Sequence, residues 1–268
     1  MIRYDASNYH QLKRTMLHGV GEALPRQTTY GTFTAAKYGL FPILDTPDQL
    51  IQPDDWKQAI ADCHRETIFP KYHQIKSAWP TAGWNQGHYG FCWAYGLAAA
   101  TMDCMQAEGH PPIRLSPFSL GWMVKWRNAG YYLDAAILGA KQRGIASADF
   151  VPEYNLNPQS FRKGWQTNAL LYRPLEWWDT QPDRAHSMTS QCLTILATGR
   201  PCYVSWYWWS HAAEVVALDW DESLKVPVTW TVRNSHAELD FIELTGDRAV
   251  PDEAYGVRAI SLPFPQEK

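Results

Sequence analysis

No stretch of about 18 apolar residues, the length that crosses a bilayer as a helix, occurs in the chain, so it offers no candidate membrane span. The opening Met1-Ile2-Arg3-Tyr4-Asp5 also lacks the apolar core of a secretory signal. The expected setting is therefore cytoplasmic, or within an assembly. Lys/Arg-rich runs are missing too, and the formal net charge is -3, so neither nucleic acid nor an anionic membrane is an expected partner. Charged residues are scarce at 19% against 46% hydrophobic, which excludes a mainly disordered chain. There is no Cys-x-x-Cys pair, hence no sequence signal for zinc or dithiol exchange. The five cysteines are an odd number at unpatterned spacings, so at least one thiol stays free, as suits a reducing compartment. Cys63, Cys104, Cys192 and Cys202 read as small buried hydrophobes. Internal repeats and low-complexity segments are absent as well.

What is present in quantity is tryptophan, 14 residues, gathered in runs such as Trp177-Trp178 and Trp206-Tyr207-Trp208-Trp209, which serve a core or an interface. At 268 residues the chain can form two subdomains sharing a cleft without covalent staples. Residues 1–70 form an N-terminal extension whose clearest element is a short helix over 53–60, with Pro53 and Asp54 at its start. From Trp84 a Gly-spaced loop runs into 91–102, small and apolar on most faces, which predicts a buried helix. Further helices are expected over 116–127 and 133–143, the latter stopped by Gly144. After Pro174 short aromatic and β-branched runs over 202–209, 213–218, 228–232, 241–244 and 255–262 predict strands. Helices first and strands later indicate the α+β class.

Chemistry concentrates around Cys92. A cysteine opening a helix has its thiolate stabilised by unpaired N–H groups, and an imidazolium nearby lowers its pKa further. Gln86, six residues upstream across a Gly-rich turn, is placed to donate its amide to a developing oxyanion, together with the Cys92 N–H. A base working near neutral pH must be histidine, held in one tautomer by a third group. His211 opens the apolar run 212–218, and the next run, 229–233, ends on Asn234, so neighbouring strands would bring the two together. His236 is the second candidate for the base and His88 a third. The plainer alternatives are a packed helical cysteine beside Trp93, a core histidine, and turn or loop roles for Asn234 and Gln86. Glu214 would be buried after His211, with Arg233 as its expected mate.

Gln86-Gly87-His88-Tyr89-Gly90-Phe91-Cys92-Trp93 resembles the nucleophile segment of the papain and cathepsin family, with Gln, both Gly and the Cys-Trp pair in register. Ser210-His211-Ala212 resembles that family's histidine strand, Val232-Arg233-Asn234-Ser235 its asparagine segment, and Asn128-Ala129-Gly130-Tyr131 its Asn-Gly-Gly stretch. These four pieces lie in family order over residues 84 to 262. The resemblance implies a papain-like fold over 71–268, with a helical half (84–165), a β-rich, barrel-like half (166–268) and a cleft between them. It implies a cysteine peptidase or amide hydrolase without metal or organic cofactor, acting on an extended peptide or protein substrate near Ala129, Gly130, Trp93 and Ala212. Residues 1–70 would then be a propeptide-like extension or a docking arm.

The departures are specific. Tyr89 and Arg127 stand where the family carries a pair of bridged cysteines, and His236 stands where an indole shields the His–Asn bond. No Asp-Trp mature start is recognisable. The alternative reading is a papain fold used as a structural or binding component of a homo-oligomer or larger particle, such as a virion, with weak or no activity.

Overall fold

The computed structural model describes residues 2–15, 50–69, 84–180, 187–236 and 241–261. Residues 16–49 and 70–83, together with Ala237 and Leu262, which belong to predicted segments, lie outside that set. Seven strands form one mixed sheet: β1 (Ile2–Tyr4), β2 (Arg173–Asp179), β3 (Cys202–Trp206), β4 (His211–Trp220), β5 (Val228–Arg233), β6 (Phe241–Leu244) and β7 (Glu253–Ser261). Their spatial order is β1-β6-β5-β4-β3-β7-β2, antiparallel except for β1 on β6. The α-helices are α1 (Tyr9–Thr15), α2 (Trp56–Arg65), α3 (Cys92–Ala107), α4 (Leu133–Arg143), α5 (Trp165–Ala169) and α6 (Met188–Ala197).

α3 is the axis of the molecule. Its small, apolar sequence has no polar face, so every residue from Cys92 to Met105 is buried. It packs across β4, β7 and β3, and Gly96 permits the close approach: a Cβ there would lie 3.0 Å from both the Ala213 carbonyl oxygen and the Tyr203 ring. The central strands alternate as a sheet covered on both faces must. Tyr203, Ala212, Tyr255 and Val257 join the core around α3, while Val204, Ala213, Val215 and Ala254 join a second core under α2 and α6. Burying a side chain such as Phe91 or Phe118 contributes about 1.5–3 kcal/mol, so this double cover is the main source of cohesion.

The expected helix over 133–143 forms with those bounds. Gly144 ends it at φ 74°, where a Cβ would clash with the Ala169 carbonyl at 1.8 Å. Over 116–127 the chain forms a 3-10 helix, Pro117–Val124, and not an α-helix. It breaks at Lys125 and Trp126, both with positive φ, where the aromatic side chains around Trp126 override helix propensity. The helix expected over 53–60 is a 3-10 turn, Pro53–Asp55, leading into α2. Sequence periodicity missed β1, β2 and α6; α6 is signalled only by its Ser187 cap, which accepts from the Ser190 N–H. Part of the N-terminal segment packs with the β half, where Tyr4, Tyr9, Leu12, Ile60, Cys63 and Phe69 share the second core.

Candidate active site

Three elements converge on one point of the seam between the halves. Cys92 is the first residue of α3, and its N-cap, Phe91, supplies no side-chain bond, so the first N–H groups of the helix remain available to the thiol. His211 is the first residue of β4 and Asn234 follows the last residue of β5. Because β4 and β5 are antiparallel, with Glu214 opposite Arg233, the start of one lies beside the end of the other. His211 Nε2 sits 2.8 Å from Asn234 Oδ1. The backbone N–H groups of Ala212, the residue after His211, of Trp93 and of Cys92 itself lie near enough to the Cys92 thiol to favour its charged form.

The hydrogen bonds settle a tautomer. Asn234 Oδ1 also accepts from the Ser235 N–H at 2.8 Å, which orients the amide with its oxygen toward His211. An oxygen can only accept, so His211 Nε2 carries the proton and Nδ1 of the neutral ring holds the basic lone pair. Gln86 is tied to the same corner: its N–H donates to the Ser235 carbonyl at 2.6 Å, its Oε1 accepts from the Ser235 hydroxyl, and its Nε2 donates to the Tyr89 carbonyl at 2.8 Å. Cys92, His211, Asn234 and Gln86 are thus brought to one corner, all of them buried.

Burial governs the electrostatics. Desolvation pushes the Cys92 thiol up to about 12, against the pull of the three backbone N–H groups. His211 is pushed down to about 3, first by burial and then by the neighbouring His236, while the Asn234 bond acts the other way. In this closed arrangement the pair is therefore a neutral thiol and a neutral imidazole. His236 is itself lowered to about 4 by burial, and its ring centroid is 5.9 Å from that of His211.

A second polar cluster is buried in the same seam, and only half of it was expected. Arg233 Nη1 lies 2.9 Å from Asp103 Oδ1 and 3.7 Å from Glu214 Oε2, all three residues being almost fully enclosed. The Glu214–Arg233 pairing follows the sequence expectation, but Asp103 is the closer partner. Burial, and the proximity of Asp103, raise Glu214 well above the ordinary carboxyl range, and burial raises Asp103 to about 6. One positive charge therefore faces two acids, and burial favours the protonated form of Glu214. The available signal for Asp103 was its being the only charged residue in an otherwise apolar helix.

The residues expected around a substrate divide. Trp93 and Ala212 are wholly buried, while Ala129 and Gly130 keep partial exposure. Trp93 Nε1 donates to the Ala129 carbonyl at 3.1 Å, and Asn128 clasps the loop before Cys92, accepting from Gly90 N at 2.5 Å and donating to the His88 carbonyl at 3.1 Å. These bonds join the segment before α3 to residues 128–129, and Tyr89 stands edge-on to Phe118. All five cysteines are free and buried. His88 is exposed and stacks on Tyr89. Trp209, read from the sequence only as part of an aromatic run for core or interface, lies against the His211 ring with centroids 4.4 Å apart, an aromatic cover supplied from before the histidine and not from after the asparagine. Among the described residues no group of three or more His, Cys, Asp or Glu is placed to hold a metal ion.

No protein-family model matches the sequence, and no curated protein matches it. Solved structures do. The chain is similar to digestive procathepsin L 3 of the Tenebrio molitor larval midgut, at 16% identity over 68% of this chain and 66% of that one, with a TM-score of 0.52. It is similar to the recombinant stem bromelain precursor at 13% identity over 94% of this chain and 80% of that one, TM-score 0.57. It is also similar to the cysteine protease and lectin-like domains of Cwp84, a surface layer associated protein of Clostridium difficile, at 15% identity over 73% of this chain, TM-score 0.56. The chain spans about half of that last protein, 52%. These likenesses establish the fold, α+β of the papain-like kind.

Proposed function

We propose that the chain is a papain-like cysteine peptidase or amide hydrolase, with Cys92 as nucleophile, His211 as base, Asn234 holding the imidazole and Gln86 donating to the oxyanion. The observation that carries this reading is the 2.8 Å bond from His211 Nε2 to Asn234 Oδ1, beside a cysteine that opens a helix and touches the Ala212 N–H. That bond leaves Nδ1 as the atom that takes the thiol proton. The thiolate attacks the amide carbonyl, and the carbonyl oxygen gains the negative charge, stabilised by the Cys92 N–H and the Gln86 amide. The proton on Nδ1 passes to the leaving nitrogen as the C–N bond breaks. Water, deprotonated by the same nitrogen, then releases the acid and restores the thiol. An extended peptide or protein substrate would pair with the backbone at Ala129 and Gly130, with Ala212 lining the pocket for the second residue upstream of the cut.

Complete burial favours a second reading, a papain fold serving as a binding or assembly component, since a closed neutral pair is not poised for attack. Labelling of the intact protein with an epoxide that alkylates papain-like active-site thiols, mapped by mass spectrometry, separates the two. Selective alkylation of Cys92 that disappears in His211→Ala is the expected result. Cys92 left unmodified in folded protein would move the assignment to the second reading.

A further inference from the structure

Away from the seam, the helical half holds a cavity of about 430 Å³ walled by Trp122, Trp126, Trp165, Leu170 and Pro158, with Arg143 and Gln166 as its polar groups. That volume lies within the range of small-molecule sites, and the composition, apolar with few polar groups, is that of a pocket that holds one end of its ligand by packing and the other by charge. Its walls are fixed. Trp126 follows two successive left-handed residue conformations (φ 53° at Lys125, 58° at Trp126 itself), and its N–H donates to the Gly121 carbonyl at 2.7 Å. Its ring meets those of Phe161 and Trp165 edge to face at 5.2 and 5.8 Å.

The charge at this pocket has one sign. Segments 122–127, 139–144 and 158–170, which build the walls, carry six Lys or Arg residues and no Asp or Glu, in a chain whose net charge is -3. Lys141 is turned to the Trp177 ring and near Glu176, and Arg162 lies over Phe150, so those two are engaged elsewhere. Arg143 is not: its guanidinium carbon lies over the Trp122 ring, 4.1 Å from the centroid, and no carboxylate pairs with it among the described residues. A guanidinium held over an indole still has N–H donors to offer a planar, two-oxygen acceptor. We infer that this cavity is a binding site for an apolar, preferably aromatic, group bearing a carboxylate, with the ring among the indoles and the carboxylate on Arg143. Two sources share that chemistry, a free aryl or acyl-amino acid and the C-terminus of a peptide ending in an aromatic residue. The inference stands without the hydrolase reading, since it concerns binding alone.

Titration calorimetry on the full chain tests it with N-acetyl-L-phenylalanine, its neutral counterpart N-acetyl-L-phenylalaninol, and a hexapeptide ending in phenylalanine. The carboxylate is expected to bind at least about tenfold more tightly than the alcohol, the size of one charge-assisted pair. Arg143→Gln, at an exposed position, should erase that preference, and Leu170→Arg, which fills the mouth, should abolish binding of both, with the circular dichroism of each variant unchanged. A hexapeptide tighter than the amino acid identifies a peptide terminus as the source; equal or weaker binding identifies the free acid. Absence of heat with every probe, equal affinity for acid and alcohol, or binding that survives both substitutions, as product held at Cys92 would, overturns the inference.

Discussion

Two buried polar clusters share the seam of this molecule and are made from the same three elements, yet they are built on opposite principles. α3 contributes Cys92 to one and Asp103 to the other, β4 contributes His211 and Glu214, and the end of β5 contributes Asn234 and Arg233. The first cluster is neutral: burial holds a thiol and an imidazole uncharged, the imidazole set by the Asn234 bond and the thiol by backbone N–H groups. The second contains a permanent cation, and it needs an ionised partner to remain buried. On the proposed function, the difference is that one cluster is arranged so that a proton can move and the other so that helix and sheet cannot part. Loss of a group from the first should therefore reach activity, and loss from the second should reach stability.

The sharpest break of that contrast is in turnover. Cys92→Ala or His211→Ala should lower hydrolysis of a peptide substrate by about 10⁴-fold or more, with little change in urea midpoint, measured as kcat beside equilibrium unfolding. Asp103→Ala leaves Arg233 buried with only Glu214, and should reduce unfolding free energy by about 3–5 kcal/mol. If Asp103→Ala were to leave the denaturation midpoint in place, the structural role of the second cluster would fail. Gln86→Ala should lower kcat by about 10²–10³-fold, the effect of removing one oxyanion donor, while the backbone bonds from Gln86 N–H to the Ser235 carbonyl and from Tyr89 N–H to the Gln86 carbonyl hold the loop.

Smaller effects appear with pH. His211 has a folded pKa of about 3, below its ordinary 6.5, so its contribution to stability is complete above 6.5 and is lost as pH falls toward 3. His236, at about 4, acts in the same direction. Thermal unfolding between pH 7 and 4 should show this acid loss, reduced in His236→Gln. Glu214 is raised instead, so it favours the folded state at low pH and opposes it as pH rises above 4.5. Glu214→Gln should change stability by less than about 1 kcal/mol at pH 4 and become the more stable form above neutrality.

Legibility follows the range of the interactions. The Gly-spaced loop and the helix that opens at Cys92 were readable because their signals are local, and the closing Gly144 of α4 was readable because positive φ has a residue signature. The break at Trp126 was not, since its aromatic partners Phe161 and Trp165 lie far along the chain. β2 and α6 escaped for a related reason: Trp177-Trp178 and the apolar run 188–197 carry no period of their own, and only the strand or helix they pack on decides their shape. Arg233 was assigned to Glu214 because strand neighbours can be guessed from order, whereas its closer partner, Asp103, comes from a helix 130 residues away.

By itself the sequence determined the class of the fold, the order of helical and strand halves, and which residue types with acyl-transfer chemistry were available, because periodicity, turn residues and short motifs act over a few residues. Tertiary structure alone decided that His211 meets Asn234 through Nε2, that Trp209 covers the imidazole, that burial holds the Cys92 thiol and the His211 imidazole neutral, and that Arg233 is shared by two acids. Each of these depends on burial and on contacts across the seam, and both come into being only when α3 closes against β4 and β5.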